Sequence, residues 1–237
     1  RACGIDQIFI LPFNQHLCEL SPEKFAQEIL VDGLGCRWLT VGSNFRFGAR
    51  RAGDFAALQK LGLSLGFEAH ATPLVFHDSA RVSSTRIRQA MQAGELDEVA
   101  LMLGRPYCVT GRVIHGAALG RQLGFPTLNV AFGPAGSKSA CGLHGSFAVR
   151  IKALQSDGSI LGGVASMGFK PTVSTAGRWL LETHVFDWEG DAYGKIVQIE
   201  FVQTLRDEMK FSSLDELKRA IGRDAQNARR ILGLPED

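Results

Sequence analysis

The chain has 237 residues, a net charge of +2, 45% apolar residues and 21% charged ones. That length supports one large domain or two modest ones with buried cores, and the balanced charge carries no signature of a nucleic-acid partner. No run approaches a membrane span, and the first residues lack the charged-then-apolar order of a secretory signal. The five cysteines (Cys3, Cys18, Cys36, Cys108, Cys141) are scattered without CxxC spacing. They fit reduced cytoplasmic thiols better than a disulfide frame or a zinc site.

From the amino terminus, residues 7–13 are β-branched and aromatic and predict a buried strand ending at Pro12. Ser21-Pro22 starts a helix, with a capping hydroxyl and proline at its first position. Phe25, Ile29 and Leu30 continue it at helical spacing, and Gly33 stops it. Residues 38–41 read as the next strand, and strand–helix–strand order implies a parallel α/β sheet with sites at the carboxyl ends of its strands. Asn44, Phe45 and Arg46 lie just past such an end, within Asn-Phe-Arg-Phe-Gly (44–48). Asp54 caps a helix to about Leu65, and residues 67–75 predict a further strand. Ser83, Ser84 and Thr85 can cap a helix through Gln92, whose first-turn N–H groups favour an anion. Arg86 and Arg88 point in different directions there, so at most one faces the same anion; an ordinary cap with solvated arginines is the plainer alternative. Residues 95–104 form a short helix stopped by Gly104, and Pro106 prevents continuation. A domain boundary is placed at 104, giving units 1–104 and 105–237.

Beyond it the pattern changes to short alternating strands at 107–114, 146–151, 162–167, 180–186 and 196–202, separated by turn residues. Such spacing predicts a closed antiparallel barrel. Ser212 or Ser213 then caps a helix with Leu214, Leu217, Ile221, Ala225 and Ala228 on one face. That helix packs on the barrel, and its pattern implies no function. Glu182 is the titratable residue that stands out, a carboxylate in an apolar strand with Leu180 and His184 at the same parity. It is either a partnered acid or a poised base.

Residues 116–129 carry the densest chemistry. Gly116, Gly120 and Gly124 stand four apart with Arg121 among them, and Pro126-Thr127-Leu128-Asn129 closes the stretch. Glycines let a backbone pass close to phosphate oxygens, and the arginine fork suits phosphate. On an extended chain Thr127 and Asn129 share a face. Two neutral oxygens beside a phosphate loop suit a Mg²⁺ that keeps most of its ligands from ATP and water. No Walker A lysine follows the glycines. By composition alone, a glycine-rich hairpin leading into a Pro-Thr strand is the favoured account.

Gly-Arg-Gln-Leu-Gly-Phe-Pro-Thr-Leu-Asn (120–129) resembles the nucleotide loop and Pro-Thr-x-Asn motif of riboflavin kinases. The resemblance continues through 168–173, 180–188, 191–195 and 205–211. Residues 41–48 and 82–88 resemble the FMN adenylyltransferase half of the bacterial bifunctional enzyme. It implies a nucleotidyltransferase-type parallel α/β domain followed by the barrel and carboxy-terminal helix. It implies phosphorylation of riboflavin by Mg-ATP, with Glu182 as base and Thr127 and Asn129 at the Mg²⁺. The 116–124 loop (Gly116, Gly120, Arg121, Gly124) would lie at the nucleotide, and Arg206, in Leu-Arg-Asp-Glu, near the flavin. In the adenylyltransferase part, Asn44, Phe45 and Arg46 would contribute to a flavin site and Ser83, Ser84, Thr85 and Arg88 to ATP phosphates. Lys170 stands where many members have arginine, and Leu128, where alanine is commoner, should face away from the metal. Small molecules (riboflavin, ATP, FMN and FAD) are the implied partners, with no nucleic acid, membrane or protein partner. The family's His-x-Gly-His is absent: none of His16, His70, His77, His115, His144 or His184 has that spacing. With Arg1 opening the chain, the expectation is that the first βα unit is missing and that FAD synthesis is lost. The alternative is a non-catalytic flavin- or nucleotide-binding barrel.

Overall fold

The computed structural model describes residues 4–116, 119–132, 142–170 and 178–235. It divides into two compact units, 1–81 and 82–237. In the first, α1 (Gln15–Glu19) precedes α2 (Pro22–Lys24), where the Ser21 hydroxyl accepts the Lys24 N–H at 3.3 Å. The helix widens into a π-type segment (Phe25–Gly33), then β1 (Trp38–Gly42) follows. Asp54 caps α3 (Phe55–Leu65) by accepting the Ala57 N–H at 2.9 Å, and Gly66 ends it in the left-handed region. β2 (Glu68–Thr72) returns parallel to β1, with Trp38 opposite Glu68 and Gly42 opposite Thr72. Ala26, Leu30, Phe47, Leu58 and Phe67 form this unit's core. A small hairpin, β3 (Phe76–His77) and β4 (Ala80–Arg81), completes it.

The strand expected at 7–13 is absent. Residues 4–13 are irregular and exposed, with Ile10 88% and Phe13 86% accessible. A β-rich composition becomes a strand only where a neighbour takes its N–H and C=O groups. Among the described residues β1 pairs with β2 alone.

The second unit begins with α4 (Ser84–Gln92), capped by the Ser83 hydroxyl at 3.2 Å from the Arg86 nitrogen, and α5 (Leu96–Leu103), closed by Gly104. Met91, Leu96, Val99 and Met102 join the same buried cluster as Phe147 and Phe201 of the barrel. Compactness therefore groups these two helices with the barrel, whereas the composition change at 104 grouped them with the preceding segment. The six strands are β5 (Cys108–Ile114), β6 (Thr127–Phe132), β7 (Gly145–Lys152), β8 (Leu161–Lys170), β9 (Arg178–Val185) and β10 (Ile196–Arg206). They close in the order β10-β5-β6-β9-β8-β7, every pair antiparallel. A one-turn helix, α6 (Leu119–Gln122), sits between β5 and β6, and α7 (Leu214–Leu232) follows β10.

Alternation fills the barrel with Leu128, Val130, Phe147, Val149, Ile151, Ala165, Met167, Leu181, Val197 and Ile199. Each such aliphatic or aromatic side chain contributes about 1.5–3 kcal/mol on full burial. Ser213 caps α7 by accepting the Glu216 N–H at 3.2 Å, and Ala225 and Ala228 pack with Ala148, Val164 and Phe186 on the barrel's outer surface. Among the described residues, no helix is long and apolar enough to cross a membrane.

Candidate active site

β9 runs between β6 and β8, and its register decides which side chains meet. Leu181, Thr183 and Val185 point into the barrel, so Leu180, Glu182 and His184 project outward. Asn129 stands opposite Glu182 on one side and Ser166 on the other; Thr127 and Val164 flank His184 in the same way. Directly opposed residues bring their Cβ atoms within about 4.5–5.5 Å. These two rows do not face open solvent. The 115–125 loop, the 206–211 segment and α7 border them and form a cavity of about 730 Å³. Glu182, Thr127, Ser166 and His184 line its barrel side, with Arg206, Phe211, Leu217, Ile221 and Asp224 on another wall.

The glycines of the loop have different tasks. A Cβ on Gly116 would overlap the Asn129 side chain, so this glycine lets the loop approach β6; one on Gly120 would overlap the Phe125 carbonyl, so this glycine lets the loop fold back on itself. Gly124 turns the chain at φ +90° and lines neither of the two cavities described here. Arg121 lines a second cavity of about 470 Å³ with Thr127, Trp188, Asp191 and Tyr193. Thr127 therefore borders both spaces. Between them His115 stacks on Tyr193, ring centroids 3.8 Å apart. The His184 Nδ1–H donates to the Pro126 carbonyl at 2.9 Å and fixes the turn into Thr127.

Asn129 is only 4% exposed, and its Oδ1 has no hydrogen-bond partner among the described residues. A buried, unpartnered amide oxygen is costly to leave unused. Asn129 lines neither cavity and lies under Gly116, while Thr127 reaches both; the two side chains offer the neutral oxygen chemistry that a hard divalent cation takes. Leu128, between them, points into the barrel core.

Arg206 lines the larger cavity, but its guanidinium is already engaged. Nε lies 3.0 and 3.2 Å from the Asp224 oxygens, Nη2 2.8 Å from Oδ2, and Nη1 donates to the Asp207 carbonyl. Asp224 also accepts from the Ser146 hydroxyl at 3.0 Å. Its signal was present in the sequence: an acid three residues past Ile221 and four before Ala228 lies on the apolar stripe of α7. The helix whose pattern implied no function thus forms a wall of the site. His184, noted in the sequence only for its parity with Glu182, and Ser166, not singled out at all, also belong to it.

The residues assigned to adenylyl transfer fall in both units. In the first, the Asn44 Oδ1 accepts from the Arg81 Nη2 at 2.9 Å, Arg46 lies 3.4 Å from Asp54, and Phe45 stacks on Phe47. In the second, Ser83 caps α4, whose first turns hold Ser84, Thr85 and Arg88. Lys170's side chain and residues 171–173 of the 168–173 motif lie outside the described residues, as do residues 117–118 of the glycine loop and Cys3 and Cys141.

The riboflavin kinase family model matches residues 103–232, and the FAD synthetase model residues 1–86. A bifunctional riboflavin kinase/FMN adenylyltransferase from Pseudomonas fluorescens is 42% identical over 228 residues, 96% of this chain and 71% of the relative. The chain belongs to the bifunctional riboflavin kinase/FMN adenylyltransferase family. The relative of the same name from Escherichia coli (strain K12) is 39% identical over 232 residues, 98% of this chain and 72% of its own length. A solved structure described as a macrolide-efflux protein from Streptococcus pneumoniae superposes with a TM-score of 0.66 at 26% identity, covering 93% of this chain and 69% of that one. The riboflavin kinase match spans the whole barrel with α6 and α7, so both cavities lie inside it. The FAD synthetase match spans the first unit and ends at Arg86, in the first turn of α4.

Proposed function

We propose that the barrel unit performs the kinase reaction of its family, phosphorylating riboflavin to FMN with ATP, where the two cavities meet. One observation carries the reading: Thr127, which borders both cavities, lies one strand from Glu182, which lines the larger. The larger cavity, walled by Phe125, Phe211, Leu123, Leu217 and Ile221, suits a flat apolar ring system. The smaller is lined by the permanently charged Arg121, a fork suited to phosphate, together with Glu189 and Asp191.

In this arrangement the ribityl chain leads its terminal hydroxyl to Glu182, which accepts the proton as the oxygen bonds to the γ-phosphorus and ADP leaves. The reaction needs little beyond orientation and charge neutralisation. Thr127 and Asn129 would hold Mg²⁺, which when bound neutralises charge on the phosphate oxygens. Gly116 keeps the loop close enough to β6 to shield this point from water. His184 holds the Pro126 carbonyl and with it the backbone entering Thr127.

Incubating the chain with riboflavin, ATP and Mg²⁺ and separating the flavins by chromatography tests this. FMN with stoichiometric ADP is the expected result; riboflavin binding without ADP or FMN would make the barrel a binding module.

A further inference from the structure

A buried ion pair seldom earns its place through stability. Desolvating two charges costs several kcal/mol per ion, and apolar replacements are often neutral or better. Asp224 is such a case: it is 6% exposed, on a helix stripe otherwise made of Leu217, Ile221, Ala225 and Ala228. Its carboxylate collects the Ser146 hydroxyl from β7 and two guanidinium nitrogens of Arg206 from the end of β10. Beyond that fork the chain leaves the barrel. The guanidinium carbon then sits 5.4 Å from the centre of the Phe211 ring, and Nη1 holds the Asp207 carbonyl at 3.1 Å. Three groups on one cation thus fix the segment from Asp207 to Phe211, which contributes Phe211 to the larger cavity's wall. An aromatic wall discriminates only when it is held within about 0.5 Å of its working position.

Resting on the reading that this cavity takes the flavin, we propose that Asp224 is a positioning residue for the flavin ring. It acts through Arg206 to set Phe211 as one face of the ring's slot. Arg206 is thereby a bracket for the wall, and α7 sets the shape of the binding site from outside the barrel. The nucleotide cavity contains none of Asp224, Arg206 and Phe211, so the effect falls on one substrate.

The experiment measures riboflavin binding by flavin fluorescence quenching without ATP, and steady-state KM for each substrate. Asp224→Asn keeps shape and one acceptor but removes the charge that orients the fork. It should weaken riboflavin binding and raise its KM about 10-fold or more, leaving KM for ATP within about two-fold. Phe211→Leu should do the same, and the double variant should lose less than the product of the two, because both act through one contact. A riboflavin Kd unchanged in both single variants, or KM values for the two substrates rising together, overturns the proposal. If Asp224→Asn does not fold, Phe211→Leu and Ser146→Ala decide by the same measure. Leu217→Trp, which fills the cavity, separates the two levels. If it leaves riboflavin binding intact, the cavity is not the flavin site. If it blocks binding while Asp224→Asn and Phe211→Leu have no effect, only the positioning role fails.

Discussion

The two units start from equally suggestive motifs and end differently. In the barrel, residues as distant in sequence as Thr127 and Asp224 arrive at one place: strand register sets Asn129 beside Glu182 and Thr127 beside His184, with Arg206 and Asp224 across the cavity. In the first unit, Asn44, Phe45 and Arg46 sit on a loop after a two-stranded sheet, and Asn44 and Arg46 are engaged with Arg81 and Asp54. Ile8, Phe9, Ile10 and Phe13 of that unit lie exposed while the barrel's interior is filled. A closed sheet fixes every neighbour of every outward side chain; a loop past an open sheet fixes only its own anchors.

The sharpest way to press that contrast is to ask one polypeptide for both family activities. A chain of these 237 residues is expected to accumulate FMN without measurable FAD. None of its six histidines has the His-x-Gly-His spacing, and losing electrostatic groups at a reacting phosphorus costs on the order of 10²–10³ each. FAD appearing as fast as FMN would show that other groups supply that charge and that the first unit is as complete a site as the barrel. The second test stays within the barrel. Glu182→Gln keeps shape and polarity but cannot take the proton, so kcat should fall by about 10² or more while riboflavin binding persists. Turnover near the unaltered rate in a folded variant would remove the base assignment.

Legibility follows the same division. Five of the six barrel strands, the caps at Ser21, Asp54, Ser83 and Ser213, and the left-handed stop at Gly104 are local chemistry, and the structure has them. The pairing of Thr127 with Asn129 on one outward face followed from period-two geometry alone. What could not be read was which strand lies beside which: Ser166 joins Glu182 only through the β8–β9 register, and adjacency is a property of topology. Asp224 was visible as a charge on an apolar stripe, yet its meaning needed Arg206 on the other side. Residues 7–13 show the opposite error. Their composition favours a strand, and composition is silent about whether a partner stands alongside.

A third measurement narrows the comparison to the point shared by the two cavities. Thr127→Val removes a hydroxyl at constant shape, so the Mg²⁺ concentration needed for half-maximal FMN formation should rise, by about 10-fold if one inner ligand is lost. Asn129→Ala should raise it as well, with some loss of packing against Gly116. Identical Mg²⁺ titrations in both variants would leave the buried Oδ1 with a purely structural task.

The smallest expected effect concerns how α7 is held beyond the cavity. Arg229, 4% exposed and 4.5 Å over the Phe186 ring, donates Nη1 and Nη2 to Asp187 at 2.9 and 2.8 Å and also reaches the Pro235 carbonyl. The hydrogen bonds from Arg229 hold the Asp187 carboxyl below its ordinary range, with charge attraction adding to them. A carboxylate whose folded value is depressed contributes stability above its unfolded value, about 3.9, and loses it as pH falls through the folded one. The Asp187 side chain is 64% exposed, so solvent screens the pair and limits its worth to about 1 kcal/mol or less. Thermal unfolding followed from pH 7 to pH 2 should therefore show a slightly steeper acid loss in the unaltered chain than in Asp187→Asn. The two curves should converge at the acid end, where both side chains are neutral. Parallel curves across that range would mean that the ion pair follows the helix without securing it.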